Sequence, residues 1–395
     1  MKKIDSPWDL PDKRIERAAV ADREIRITDF LLFALIPLRS TEAAGLPLNE
    51  LATGLLVVLA LARPQRARGG LPPPAAAACI ALVALLSFSG LANHVDWTRR
   101  VGHVAIYAGL IWAGASGRFS LRSAGLGLGT GLIAVIGYGI ATIGASAYDG
   151  RLTGFLADPN AGAYFIVTLG TLAVGFAGRD RLQTILVAVP IIAGQVMSFS
   201  RTGLLAMTYA IVWAAAGRRL GLWGGIALVV GLVWLVDNIP ENLVESIPAF
   251  SNRSGSDELR DRIIAAERRS LADIPWYGHG PGTASVSLQD RSFFFHNSFL
   301  AVRQEGGWIA LGLVLFLLAY SFLRLGRWSR LGDLPSIAAQ AALISVPVMA
   351  VTLGEVLLDT PAAIAIAFAL GRAHEMRLAN PEWKAPAPGL GRLRA

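Results

Sequence analysis

The chain has 395 residues, of which 54% are hydrophobic and only 16% are charged, and its mean hydropathy is +0.51. Soluble domains carry about 25% charged residues, so this composition excludes a disordered chain, a disulfide scaffold and an ordinary soluble enzyme. Because Cys79 is the single cysteine, neither an intramolecular disulfide nor a cysteine-based zinc cluster is possible. The formal net charge of +8 is more typical of arginine-rich loops that orient a membrane protein than of nucleic-acid binding.

Apolar stretches of membrane-spanning length recur along the chain. A spanning helix needs about 20 largely apolar residues, with a range of about 17–25. Stretches that meet or approach this length predict an all-α polytopic membrane protein with twelve helices, at 28–44, 46–62, 75–92, 101–116, 124–145, 160–177, 182–199, 202–216, 220–236, 299–323, 335–354 and 359–373. Arg39 and Glu42 interrupt the first stretch, and the eighth and twelfth stretches are short.

The distribution of arginine predicts how the chain is oriented in the membrane. Every predicted inner loop carries two or more arginines, whereas the short outer turns carry few, which indicates that both termini are cytoplasmic. The N-terminal residues are mixed in charge, which is not the pattern of a secretory signal. The predicted organisation is a cytoplasmic tail, nine helices, one periplasmic loop, three helices and a second cytoplasmic tail, at 1–27, 28–236, 237–298, 299–373 and 374–395.

The loop at 237–298 is the one long connection between predicted helices, and a loop of this length is usually functional. Apolar residues recur at helical spacing within it and predict a helix over 257–273, namely Leu259, Ile263, Ala266 and Leu271. Ser256 or Asp257 is expected to cap that helix, and Pro275 to follow its end. The alternative is that the loop is a simple linker.

Polar residues that could carry chemistry fall into four stretches on the predicted outer face. We name them the Arg151 loop (151–162), the Arg201 turn (198–203), the Arg262 segment (262–282) and the His296 segment (296–307). The predicted helices hold almost no ionisable groups, and Glu355 and Asp359 at their outer ends are the nearest. An ion-coupled transporter usually places charged residues near the membrane midplane, so this pattern argues against one.

Arginine at a water–lipid boundary suits a lipid-linked phosphate, because the planar guanidinium donates to phosphate oxygens two at a time. The alternative is that an arginine simply extends to the membrane interface. We favour that alternative for Arg39, Arg99 and Arg100. We favour the functional interpretation for Arg201, because a short outer turn has no need of a cation.

Histidine can take or release a proton near neutral pH, which makes His296 a candidate general base. Three phenylalanines precede it at 293–295, and we expect them to press against the membrane surface and shield the ring. The alternative is a structural histidine that only forms hydrogen bonds. His279 is a weaker candidate, and the remaining histidines are expected to be structural, namely His94, His103 and His374.

Taken together, the four stretches resemble motifs of the O-antigen ligase and O-antigen polymerase superfamily of bacterial membrane glycosyltransferases. The resemblance covers roughly residues 100–323. It rests on an Arg-x-x-Gly…Pro-Asn loop, a Ser-Arg-Thr-Gly turn, an arginine-led helix before a glycine-rich turn, and a His-Asn-x-x-Leu…Glu-x-Gly segment, at Arg151–Asn160, Ser200–Gly203, Arg262–Gly282 and His296–Gly307. Two Arg-x10-Gly patterns of the polymerase branch also occur, at Arg151–Gly162 and Arg269–Gly280.

The resemblance implies an inverting, metal-independent transferase at the periplasmic face of the bacterial inner membrane, with no cofactor and no nucleic-acid partner. The implied donor is a glycan on undecaprenyl pyrophosphate, and the implied acceptor is lipid A-core or another glycan. Arg201 and Arg262 would hold the pyrophosphate with Arg151 as a third cation, and His296 would orient or deprotonate the acceptor hydroxyl. The remaining residues of the implied substrate-binding set are Arg269, Asn160, Asn297 and Glu305.

Several alternatives stay open at the level of sequence. The short connection at 146–160 favours a ligase over a polymerase, although exopolysaccharide polymerases with compact loops remain rivals. A twelve-helix transporter or flippase for lipid-linked glycans would show midplane charges or matched halves, and no repeat relates 28–177 to 182–373. A structural partner in cell-envelope assembly is a third possibility, for which no specific motif speaks.

Overall fold

The computed structural model describes residues 25–43, 45–64, 70–146, 148, 150–178, 180–237, 254–288 and 291–380. Most of the predicted N-terminal tail (1–27) and the greater part of the predicted C-terminal tail (374–395) therefore lie outside the described residues. The first part of the predicted long loop, at 238–253, also lies outside them.

Helices dominate the described part of the chain, as the sequence predicts. They are α1 Ile27–Leu35, α2 Leu48–Ala62, α3 Pro73–Ala92, α4 Thr98–Ala115, α5 Leu121–Ala141, α6 Pro159–Ala177, α7 Arg181–Met197, α8 Arg201–Asp237, α9 Ser254–Ser270, α10 Ser298–Arg330, α11 Leu334–Ala350 and α12 Thr360–Ala379. Two antiparallel hairpins accompany them, β1 Glu42–Ala43 with β2 Leu46–Pro47, and β3 Ser285–Leu288 with β4 Arg291–Phe294. Four of the described helices are long and apolar enough to cross a membrane, namely α3, α5, α6 and α10.

Helix α1 is shorter than predicted. The sequence predicts one helix over 28–44, but α1 ends at Leu35, because Pro37 cannot donate the next backbone hydrogen bond. Asp29 pairs with Arg63 at one end of the bundle, and Arg39 pairs with Glu355 at the other. The chain therefore still runs from one end of the bundle to the other over this stretch, but only partly as a helix.

The chain folds back within the range of α8. The Tyr209 hydroxyl donates to the Gly225 carbonyl oxygen at 3.0 Å. Sixteen residues of straight helix would separate these positions by about 24 Å, so the helical range cannot be one straight rod. A Cβ added at Gly225 would come 2.7 Å from the Trp213 ring, which explains the need for glycine at this close approach. The reversal falls in the region where the sequence predicts that two spans meet.

The core of the bundle forms around α6 and α12, whose residues are almost all buried. Small residues let the helices approach closely, as is typical of helices that pack in lipid. A Cβ on Gly175 of α6 would collide with Ala338 of α11, and a Cβ on Gly114 of α4 would lie 2.9 Å from the Ala367 methyl of α12.

A buried ion pair fixes one end of the bundle. The Arg372 guanidinium donates to both carboxylate oxygens of Asp333, at 2.6 and 3.0 Å, and Asp333 also caps α11. Arg372 lies about 18 Å along α12 from Thr360, the first residue of that helix. Removing one partner of such a pair usually costs about 3–5 kcal/mol, so this end of the bundle is rigidly anchored.

Helix α10 contains a break near its start. Gly307 has φ 70° and ψ −170°, a conformation that favours glycine, and a Cβ there would collide with the Trp276 carbonyl oxygen. The break separates a short first segment, which carries Glu305, from the long apolar part of the helix.

Candidate functional site

The Arg151 loop lies directly against the Arg201 turn. Arg151 Nε donates to the Ser198 carbonyl oxygen at 3.0 Å, and Arg151 Nη2 donates to Asn160 Oδ1 at 3.2 Å. The Leu152 N–H donates to the Met197 carbonyl oxygen at 2.9 Å. Arg151 thus braces two predicted stretches against each other, and its contact with Asn160 joins both of them to the start of α6.

The start of α6 is set by ordinary capping chemistry. Asp158 Oδ1 accepts the N–H groups of Asn160 and Ala161 at 2.8 and 2.9 Å, and Pro159 occupies the first helical turn. Ala157 has φ 64°, which bends the chain sharply just before the cap. This geometry holds Asn160 where Arg151 can reach its side chain.

The Arg201 turn carries backbone strain and a cation at a helix start. Phe199 has φ 46°, which is unusual for a bulky residue. Residues with such strained backbone conformations are often found at functional sites in proteins. Ser200 Oγ accepts the Gly203 N–H at 3.3 Å, so α8 begins at Arg201, whose side chain is exposed. A cation is unfavourable at the positive end of a helix dipole.

A buried carboxyl holds the backbone at His296. The His296 N–H donates to Glu267 Oε1 at 2.5 Å, and the Glu267 side chain is buried. Its second oxygen, Oε2, is also buried and has no hydrogen-bond partner in the described part of the chain. Burial raises the pKa of Glu267, although the His296 N–H and the nearby Arg268 charge act in the opposite direction. Sequence reasoning missed Glu267, although it lies within the Arg262 segment.

The ring of His296 has a defined orientation. Its Nδ1 lies 3.2 Å from the Phe294 carbonyl oxygen. A carbonyl only accepts hydrogen bonds, so this contact places a proton on Nδ1. In a neutral ring with this proton, Nε2 would be the nitrogen that can accept a proton.

The three phenylalanines before His296 do not form one membrane-facing patch, which corrects the prediction. Strand β4 was not predicted, and side chains alternate between the two sides of a strand. Phe294 is 70% exposed, whereas Phe295 directly after the strand is 2% exposed and Phe293 is half-buried.

Glu305 joins the His296 segment to the glycine-rich turn. Its Oε2 lies 3.1 Å from Arg100 Nε, its Oε1 accepts the Gly282 N–H at 3.1 Å, and its backbone oxygen accepts the Gly280 N–H at 3.2 Å. The glycines at 278, 280 and 282 all have positive φ, which this close docking requires. Glu305 is therefore committed to protein contacts, and its predicted role with substrate stays a prediction.

The connection between α11 and α12 (351–359) links the Arg201 turn to the His296 segment. Thr352 Oγ1 donates to Thr202 Oγ1 at 2.7 Å. Ser298 Oγ accepts the N–H groups of the connection at 356 and 357, at 3.3 and 3.0 Å. A Cβ on Gly354 would collide with the Phe295 carbonyl oxygen. The four stretches, distant in sequence, are therefore joined at one end of the bundle. Direct contacts link them in two pairs, and the 351–359 connection links the two pairs.

Two arginines set aside as interface residues belong to this region, which corrects the sequence interpretation. Arg100 Nη1 and Arg39 Nη2 lie 3.7 and 3.9 Å from the two carboxylate oxygens of Glu355. Arg100 also pairs with Glu305 at 3.1 Å. Glu305 and Glu355 lie far along the chain from these arginines, so no sequence spacing predicts the ion pairs. The only indication in the sequence was Glu355, an acidic residue at the outer end of a predicted helix.

The remaining predicted residues occupy separate positions. Arg262 and Arg269 have exposed side chains on α9, and Arg269 Nε donates to the Ala265 carbonyl oxygen at 3.2 Å. Asn297 caps α10, because its Oδ1 accepts two backbone N–H groups at 3.0 and 3.1 Å. His279 Nδ1 lies 3.0 Å from Gln304 Nε2, which agrees with a structural role.

Replacing Glu267 with glutamine is expected to preserve the fold, because the amide oxygen can still accept the His296 N–H. Since burial raises the pKa of Glu267, the folded wild type holds its proton to higher pH than the unfolded chain does. Wild-type stability should therefore fall as the pH rises from the ordinary glutamate range through that raised pKa, and the variant should lack this fall. Thermal unfolding in detergent between about pH 4 and pH 8 measures the difference.

Glu267→Leu provides the matched comparison, because leucine cannot accept the His296 N–H. We expect a loss of about 1–3 kcal/mol for that variant at the acidic end of this range, from the unsatisfied backbone group, and a smaller difference from the wild type at higher pH. An identical pH dependence of unfolding in the wild type and Glu267→Gln would contradict the assignment of a buried, titrating carboxyl.

Among the described residues, no three His, Cys, Asp or Glu side chains lie close enough together to hold a metal ion. The chain matches no protein-family model and no curated protein.

Proposed function

We propose that this protein is an inverting membrane glycosyltransferase that moves a glycan from undecaprenyl pyrophosphate to an acceptor hydroxyl, in the manner of O-antigen ligases and related polymerases. The observation that carries the proposal is that the four stretches behind the sequence resemblance are joined at one end of the bundle, by direct contacts within two pairs and by the 351–359 connection between the pairs. Arg151 contacts the Arg201 turn, Glu267 contacts His296, and Thr352 contacts Thr202.

In this proposal His296 acts on the acceptor and arginines act on the leaving group. The acceptor oxygen bonds to the anomeric carbon, the bond from that carbon to the pyrophosphate oxygen breaks, and the hydroxyl proton passes to His296 Nε2. Arg201 and Arg262 would stabilise the charge that develops on the departing pyrophosphate. The helix start at Arg201 adds a positive dipole end to that charge.

The transporter alternative gains no support from the charged pairs. A transporter or flippase would place ionisable groups near the middle of its helices. The described pairs that hold the bundle together instead lie at its ends, Asp29 with Arg63 and Asp333 with Arg372 at one end, and Glu305 with Arg100 at the other.

A transfer assay tests the proposal directly. The purified full-length protein, in lipid nanodiscs, is given an undecaprenyl-pyrophosphate-linked glycan together with either lipid A-core or a second lipid-linked glycan. We expect glycan transfer to one acceptor, with release of undecaprenyl pyrophosphate. Transfer to lipid A-core identifies a ligase, and transfer to the second glycan identifies a polymerase. Failure with both acceptors, with folded protein and intact donor, would contradict the proposal.

We also propose that the chain crosses the membrane twelve times, with both termini in the cytoplasm and the site in the periplasm. Ser254, at the start of α9, would then lie outside the inner membrane. Ser254→Cys in a Cys79→Ser background is expected to react with an impermeant thiol reagent in cells whose outer membrane alone is permeabilised. Labelling only after lysis of the inner membrane would place the site on the wrong side for this chemistry.

Transfer is expected to persist in EDTA, because arginine side chains rather than a metal ion would stabilise the leaving pyrophosphate. The assay compares initial rates with and without chelator, after removal of adventitious divalent ions from the lipids. Loss of activity that returns on addition of magnesium or manganese would refute the assignment of the leaving-group charge to arginines.

A further inference from the structure

A small cavity of about 60 Å³ lies beside the His296 segment and is used by none of the steps above. Its wall is built by separate parts of the chain, namely α4, the glycine-rich turn, β4, the start of α10 and the 351–359 connection. The residues that give it its chemistry are Arg100, Phe294, Glu305 and Glu355.

The arginines around this cavity are already matched by carboxyl groups. Arg100 and Arg39 face Glu305 and Glu355, and the buried Asp359 carboxyl also interacts electrostatically with both arginines. A phosphate would gain little net attraction from such a set, unlike at the Arg201 turn. A neutral, polar ligand suits it better, because it leaves both ion pairs in place.

Glu355 accepts no hydrogen bond from the residues that the structure describes, so its carboxylate oxygens can accept one from a ligand. Its oxygens lie 3.7 and 3.9 Å from Arg100 Nη1 and Arg39 Nη2, which are ion-pair distances but too long for direct hydrogen bonds. The Glu355 side chain is 48% exposed, so a ligand can reach it. A hydroxyl both donates and accepts, so it can bond to a carboxylate and a guanidinium at once.

Phe294 provides an apolar face at the edge of the same cavity. Its ring is 70% exposed, although its strand neighbours are held in the β3–β4 hairpin. The face of an aromatic ring is electron-rich and attracts the polarised C–H groups of a sugar ring. A hydroxyl edge beside an apolar face is the combination that a sugar presents.

We propose that this cavity binds the neutral sugar that carries the acceptor hydroxyl, with vicinal hydroxyls at Glu355 and Arg100 and the ring resting on Phe294. The cavity is smaller than a whole sugar, so it holds one edge while the ring stays outside. Phe294 lies two residues before His296, which puts the bound sugar next to the group that acts on its hydroxyl. The inference rests on the proposed function.

Binding is measured without any transfer step. The full-length protein in nanodiscs is titrated with methyl glycosides of glucose, galactose, N-acetylglucosamine and rhamnose, using saturation-transfer NMR. We expect at least one glycoside to bind, and inorganic pyrophosphate not to displace it. Glu355→Ala should weaken that binding by about tenfold or more, the size expected when a hydrogen bond to a charged group is lost. Phe294→Ala should weaken it by about tenfold, because the apolar contact with the sugar ring is lost.

Matched controls separate this site from general effects. Phe316→Ala removes another exposed phenylalanine, and Glu42→Ala removes another exposed glutamate of the predicted outer side, and neither should change glycoside binding. Glu355→Gln keeps the size of the side chain and should weaken binding less than Glu355→Ala. Absence of binding by every glycoside, or binding that Phe294→Ala and Glu355→Ala leave unchanged in folded protein, would overturn the inference.

Kinetics distinguish failure of this inference from failure of the proposed function. In the transfer assay the Phe294 and Glu355 variants should raise KM for the acceptor by about tenfold and leave KM for the donor unchanged. Transfer with an unchanged acceptor KM refutes the sugar site alone. Glycoside binding that the two variants weaken, in a protein that transfers nothing, refutes the proposed function and retains the sugar site.

Discussion

Replacing His296 with alanine is expected to lower the turnover number of glycan transfer by about 10²–10⁴-fold, the usual contribution of a general base. Donor binding should stay near the wild-type value, because the histidine is assigned to the acceptor. The contact of Nδ1 with the Phe294 carbonyl oxygen and that of the backbone N–H with Glu267 hold this residue in place. Single-turnover transfer, together with separate binding of the donor lipid, measures the two quantities.

His279→Ala is the matched control for this experiment. His279 lies in the same region, but its ring nitrogen contacts Gln304 and serves the packing of the glycine-rich turn. Its replacement should change turnover far less than His296→Ala does. Transfer by His296→Ala at a near wild-type rate would show that His296 does not accept the proton of the acceptor hydroxyl. A carboxylate would then be the next candidate, and Glu305 is the one that the His296 segment of the sequence offers.

Replacing Arg201 or Arg262 with lysine is expected to lower the transfer rate by about 10²–10³-fold, the usual effect of losing one preorganised donor to developing charge. Lysine keeps the positive charge but loses the planar fork that donates to two phosphate oxygens. Capture of the donor lipid should weaken in these variants, in contrast to His296→Ala. Binding of a fluorescent undecaprenyl pyrophosphate to the protein in nanodiscs measures that loss.

Arg99→Lys is the control for the arginine variants, because Arg99 is exposed on α4 and is predicted to meet only the membrane interface. It should transfer glycan and bind donor like the wild type. Each variant must be present in the membrane at the wild-type level, since a folding defect would imitate both classes of result. Full activity in Arg201→Lys would show that the positive charge alone suffices. Donation by the Arg201 guanidinium to two phosphate oxygens would then not be needed for transfer.

Hydropathy and periodicity predicted the helical character of the chain and the helix within the long loop, which the structure places at Ser254–Ser270. These signals succeed because they depend on residues close together along the chain. They failed where a local feature overrode them. Pro37 follows the early end of α1, and the β3–β4 hairpin was missed because four-residue strands give little periodic signal.

The types of side chain at the candidate site were also visible in the sequence, because arginines and a histidine recur in four polar stretches of the predicted outer face. Their partners were not visible. Glu267 and His296 are 29 residues apart, and Arg100 and Glu305 are 205 residues apart, so no spacing rule relates them. Only the packing of the helices brings such groups together. The same packing buries Glu267, pairs Arg39 and Arg100 with Glu355, and leaves Phe294 exposed beside the cavity.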